Sequence, residues 1–125
     1  MRILLDTHVY LWWCEDSPAL SQKARTIIAE AETVYISSAS LWELAIKIGI
    51  GKFEGNLNDL ATNIQASGFE ELPVKVAHTI VLPRLASHHK DPFDRMLIAQ
   101  AVSEPLQLVT HDATLANYSP LVVLI

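Results

Sequence analysis

The chain has 125 residues, half of them hydrophobic and 18% charged, which is enough apolar material for a buried core and excludes a disordered chain. A single cysteine, Cys14, excludes an internal disulfide and suits a reducing compartment. The formal net charge of −5 gives no basic surface of the kind that phosphate backbones usually meet, an objection that weakens where acids cluster around bound cations, because such ions invert the local field.

Arg2-Ile3-Leu4-Leu5 is an apolar run of strand length, stopped by Asp6-Thr7. Val9 to Cys14 is a second apolar run, too short to span a membrane and without a cleavage site. No targeting segment and no membrane contact are therefore expected, and the expected compartment is the cytoplasm. Ala19 to Ala31 has Leu20, Ala24, Ile27 and Ile28 on one helical face after Ser17-Pro18, and Thr33 to Ser37 is a β-branched and aromatic strand. Leu41 to Ile48 reads as a helix closed by Gly49 and Gly51, and Leu57, Leu60, Ala61 and Ile64 make a further stripe closed near Gly68. Phe69 to Val74 is a weaker strand, placed near a sheet edge. Val74 to Leu85 is a fourth helix, and Phe93, Met96, Leu97 and Ala101 mark a fifth, stopped by Glu104-Pro105. Leu106 to Thr110 and Leu121 to Ile125 complete the strands.

Near-continuous apolar strands alternating with helices predict parallel pairing with both faces covered. The expected fold is α/β, a three-layer α/β/α sandwich around a parallel sheet of four or five strands. No repeat, low-complexity tract or linker interrupts it, so residues 1–125 read as one domain.

Four acids stand out by their place in this pattern. Asp6 follows the first strand, Asp112 follows Leu106–Thr110, Glu43 lies early in the helix after Thr33–Ser37, and Asp94 lies in the first turn of the helix opened by Asp91-Pro92. Each has an ordinary reading as a helix cap or capping-box acid, with Ser40-Leu41-Trp42-Glu43 as one such box. In a parallel sheet, however, all strand C-termini share one edge, and ligands bind in the crevice outside it. Two like charges ~4 Å apart repel by ~4 kcal/mol at an effective dielectric near 20, so acids crowded there point to a bound cation or shifted protonation. Oxygen ligands without a cysteine–histidine pattern suit Mg2+ or Mn2+.

Leu4-Leu5-Asp6-Thr7-His8, Ser37-Ser38 with Trp42-Glu43-Leu44-Ala45-Ile46-Lys47, Asp91-Pro92-Phe93-Asp94-Arg95-Met96-Leu97-Ile98-Ala99-Gln100-Ala101 and Val109-Thr110-His111-Asp112 together resemble a PIN domain, with the VapC-type toxins of bacterial toxin–antitoxin pairs as the nearest likeness. The resemblance spans essentially the whole chain. It implies a metal-dependent endoribonuclease that uses Mg2+ or Mn2+, is often a homodimer, and is inhibited by a small antitoxin protein. By the same resemblance Asp6, Glu43, Asp94 and Asp112 are the metal-holding and catalytic acids, and Thr7 and Thr110 support them through hydroxyl contacts. Asp91 is a supporting residue or a cap, and Arg95 and Lys47 are candidate phosphate contacts on the RNA. The runner-up is a non-catalytic PIN-like interaction module, against which the intact quartet argues. A haloacid-dehalogenase-type phosphatase would need a second Asp where His8 stands, and a receiver domain would need paired acids near its first strand.

The histidines do not suggest zinc: His88 and His89 are adjacent, and His8 and His111 lack cysteine partners. His8 and His111 lie beside the proposed acids and read as turn residues before substrate contacts. Tyr10, Trp12, Trp13 and Trp42 read as core or interface residues, with base stacking as the alternative.

Overall fold

A computed structural model describes residues 1–86 and 91–125; the His88–His89 pair considered for zinc lies outside them. The first strand, β1 (Arg2–Leu5), has no exposed side chain after Arg2 and occupies the middle of the sheet. It pairs in parallel with β2 (Thr33–Ser37) on one side and β4 (Gln107–Thr110) on the other. β3 (Glu70–Leu72) lies beyond β2 and β5 (Val122–Leu124) beyond β4, giving the order β3-β2-β1-β4-β5, all parallel. The weak Phe69–Val74 strand is thus real and at an edge, where exposed Glu70 and Glu71 discourage pairing with another chain.

Side-chain alternation along the strands divides the core in two. Ile3, Leu5, Val34, Ile36 and Val109 face one layer, made by α1 (Thr7–Cys14), α2 (Gln22–Glu30), α4 (Leu57–Ala66) and Leu44 of α3 (Ser38–Gly49). Leu4 and Leu108 face the other, against Leu97, Ile98 and Ala101 of α6 (Pro92–Ser103). A short α5 (Val76–Val81) runs into a 3-10 turn at Leu82–Arg84 and packs beside α6. The result is the expected three-layer sandwich.

Several boundaries differ from the sequence reading. Residues Thr7–Cys14 form a helix directly after Asp6, where periodicity gave none: Val9, Tyr10 and Leu11 are buried, and Trp12, Trp13 and Cys14 pack partly against the same core. With no polar face there is no amphipathic signal to read. Tyr10 ties this helix to α4 by donating its hydroxyl hydrogen to the Leu60 carbonyl at 2.7 Å. Tyr10→Phe should therefore cost about 1 kcal/mol in a denaturant melt, since one buried hydrogen bond is lost without a cavity.

The second helix begins at Gln22 rather than Ala19, because the Ser21 hydroxyl accepts from the Ala24 N–H and caps it. The third begins at Ser38, three residues earlier than expected, with the Ser37 hydroxyl accepting from the Ala39 N–H. The Ser40–Glu43 capping box is thereby overturned. Ser40 is buried and its hydroxyl accepts from the Thr7 hydroxyl at 2.8 Å, while Glu43 lies in the helix interior. The predicted Val74–Leu85 helix is shortened because Pro83 interrupts the hydrogen-bond ladder.

Candidate active site

Strand order reverses between β1 and β4: β2 and β3 continue to one side, β5 to the other. A crevice opens at such a switch point, outside the strand C-termini. Asp6 follows β1 there, and its backbone N–H extends the ladder to the Val109 carbonyl at 3.0 Å. Asp112 lies just past the end of β4. Around this point lies a cavity of about 280 Å3 lined by Asp6, Glu43, Asp94 and Asp112 together with His8, Trp12, Lys47, Asp91 and His111. All four acids picked out in the sequence thus reach one cavity, from four separate elements.

Each acid is positioned by local chemistry. Asp6 is the N-cap of α1, and its Oδ1 accepts from the Thr7 N–H at 2.7 Å. Its Oδ2 accepts from the Thr110 hydroxyl at 2.6 Å, and the same Thr110 oxygen accepts from the Asp112 N–H at 3.0 Å. One threonine therefore locks the two acids of neighbouring strands together. Asp112 caps a 3-10 turn (Ala113–Asn117), as expected, accepting from the Thr114 N–H and hydroxyl. Asp91 caps α6, accepting from the N–H groups of Phe93 and Asp94, with Pro92 in the first helical position. Glu43 is nearly buried, and its Oε2 lies 3.1 Å from Lys47 Nζ one turn on. Trp42 and Phe93, next to Glu43 and Asp94 in the chain, meet edge to face at 5.1 Å, which fixes α3 against the start of α6.

Capping and clustering thus coexist. Asp6, Asp91, Asp94 and Asp112 all stand at helix N-termini, whose free N–H groups and dipoles offset part of the gathered negative charge. The rest shows in Asp6: burial raises its carboxyl above the usual aspartate range and the Glu43 charge adds to this, while Thr110, the Thr7 N–H and His8 pull the other way. The donor chemistry, carboxylate oxygens with no thiolate, fits a hard divalent cation. Among the described residues no group of three or more histidine, cysteine or acidic side chains is drawn close enough to hold an ion; the acids ring the cavity.

The two candidate phosphate contacts separate. Lys47 lines the cavity. Arg95 does not: its guanidinium donates to the carbonyls of Leu82 and Ala86 at 3.1 and 2.9 Å, tying the first turn of α6 to the end of α5. Thr7 supports the cluster differently from the expectation, through its backbone N–H to Asp6, while its hydroxyl reaches Ser40 on α3. Trp12, expected in the core or at an interface, also walls the cavity. Its spacing of four from His8 would have placed it there, had Thr7–Cys14 been read as a helix.

Comparison with known proteins agrees with this layout. A family model described as the PIN domain matches residues 3–119. Ribonuclease VapC22 of Mycobacterium tuberculosis is 31% identical over 123 residues, covering 93% of this chain and 91% of that protein. In fold the chain is similar to a chain of VapBC2 from Rickettsia felis bound to a promoter DNA fragment, with TM-score 0.72 and 20% identity over 100% of this chain and 98% of that one. It is also similar to a chain of DNA-bound VapBC from Salmonella typhimurium, with TM-score 0.70 and 20% identity over 100% and 97%. With the family model covering nearly all of it and a VapC relative matched almost end to end, the chain belongs to the PIN-domain family, among its VapC-type members.

Proposed function

We propose that the chain is a Mg2+- or Mn2+-dependent endoribonuclease, a single nuclease domain that acts in the cytoplasm as the toxin of a toxin–antitoxin pair, binds a cognate antitoxin protein and forms a homodimer. The observation that carries this reading is the convergence of Asp6, Glu43, Asp94 and Asp112 on one cavity at the sheet's switch point.

Asp6, Glu43, Asp94 and Asp112 would hold a divalent cation between them, which when bound would lower the pKa of a water and offset charge on the phosphoryl oxygens. Asp6, pinned at both oxygens, gives the cavity a rigid anion at its base. Glu43, whose Oε2 lies 3.1 Å from Lys47 Nζ, would accept a hydrogen bond from the attacking water and orient it. Asp112 shares this orienting role from the opposite strand. Lys47 also offsets phosphate charge at the cavity wall.

A protein partner is supported by apolar surface. Trp42, Ile46 and Ile50 are exposed at spacings of four along α3 and beyond its end, Val76 and Ile80 are exposed on α5, and an apolar groove of about 440 Å3 runs past Trp42, Phe93 and Met96. Among the described residues no helix is long and apolar enough to cross a membrane.

Expression of the chain alone should stop growth of a bacterial host and deplete a subset of its RNA, and the Asp94→Asn variant, made at equal level, should do neither. Normal growth and intact RNA with abundant folded wild-type chain would overturn the toxin reading.

A further inference from the structure

Asp6 and Glu43 reach the cavity on different elements. Burial first, and then the Glu43 charge, push the Asp6 carboxyl above the usual aspartate range. The two carboxylates therefore repel when no cation lies between them, and a contact between α1 and α3 has to oppose that. Thr7 makes one. Its backbone N–H donates to Asp6 Oδ1 at 2.7 Å, and its hydroxyl donates to the Ser40 hydroxyl oxygen at 2.8 Å. Thr7 is 3% exposed and Ser40 1%, so water does not compete for this bond. Ser40, Glu43 and Lys47 follow one another at spacings of three and four along α3, which puts them on one face of the helix. Glu43 is thus the next residue on that face after the anchored hydroxyl. From the other side Trp42 of the same helix meets Phe93 at 5.1 Å.

We propose that Thr7 and Ser40 are a positioning pair: their hydrogen bond sets the rotation of α3 about its axis and so keeps Glu43 turned into the cavity with Asp6. This rests on the metal-dependent nuclease reading and adds two residues to it, neither of which lines the cavity itself. Thr7 does between Asp6 and Glu43 what Thr110 does between Asp6 and Asp112. The hydroxyl pair suits the task because a hydrogen bond is directional, whereas an apolar contact at the same place would let the helix turn. A site set in advance binds its ion more tightly, since like charges have been brought together and side chains ordered during folding rather than on binding.

The test is Mn2+ uptake by the whole chain, measured by calorimetry without RNA, with thermal melts in EDTA to establish that each variant is folded. Thr7→Val keeps the volume and removes the hydroxyl; Ser40→Ala removes its acceptor. Each should weaken Mn2+ binding roughly ten-fold, the lower end for an outer partner of a metal ligand, because the pair acts through the helix and not on the carboxylate. The double variant should bind no more weakly than either single one, since both remove the same bond. Thr7→Ser keeps the hydroxyl and should restore wild-type binding. Tyr10→Phe, which removes a different buried hydrogen bond of α1, should lose stability and keep its Mn2+ affinity. Folded Thr7→Val and Ser40→Ala proteins that take up Mn2+ like wild type would overturn the pair and leave the nuclease reading in place. Effects that add in the double variant, or an equal loss in Tyr10→Phe, would do the same. A folded wild-type chain that takes up no Mn2+ would sink both.

Discussion

Asp6→Asn should make the metal-free protein more stable while lowering RNA cleavage by more than about 100-fold. The two effects have opposite sign because the same burial causes both. Asp6 is 7% exposed, and losing water raises its carboxyl above the ordinary value of 3.8. The native state therefore binds a proton where the unfolded chain has released it, and stability falls as pH rises from the ordinary aspartate value through the raised native one. Asparagine carries no charge, keeps an oxygen for the Thr7 N–H, and removes this loss. Its advantage should be absent in acid below the ordinary aspartate range and should grow as pH rises through the raised native value. A gain of about 1 kcal/mol would appear as a rise of roughly 4 °C in Tm. Thermal melts in EDTA across the pH range read it directly. A neutral-pH Tm below wild type would show that the charged carboxylate is worth more to the fold than its desolvation costs.

Thr110→Val should be the most damaging change outside the acids. The Thr110 oxygen donates to Asp6 and accepts from the Asp112 N–H, and the side chain is fully buried. Valine keeps the volume but leaves an N–H without its partner and a carboxylate oxygen without its donor, at a cost of about 1–3 kcal/mol. Cleavage should also fall by about 10- to 100-fold, because the two acids are no longer held in register. Thr110→Ser retains the hydroxyl and should recover most of the activity. If valine and serine behaved alike, the hydroxyl bridge would have no role in the site.

The strands were legible because β1 and β4 are buried on both faces, so their sequences are unbroken apolar runs that admit few other readings. The first helix was not, for the related reason that its residues are apolar on every side. The start of α3 was ambiguous because Ser37, Ser38 and Ser40 all cap well, and only the Thr7–Ser40 contact, made across the fold, decides among them. Within the site, Asp6 and Asp112 could be placed from strand ends alone, since a parallel sheet puts those ends together. Asp94 could not, because the start of α6 is placed by packing such as Trp42 on Phe93. Lys47 and Arg95 look alike as free cations in a sequence. Their difference is tertiary: one has a buried carboxylate a helical turn away, the other has backbone carbonyls to satisfy.

The most direct measurement is cleavage of total cellular RNA by the purified chain in Mg2+ or Mn2+, run beside an EDTA control and Asp94→Asn. Cutting that requires the metal and vanishes in the variant is the expected result. RNA left intact by the folded wild-type chain in both metals, with no metal uptake by calorimetry, would contradict the assignment of the acidic cavity as a nuclease site.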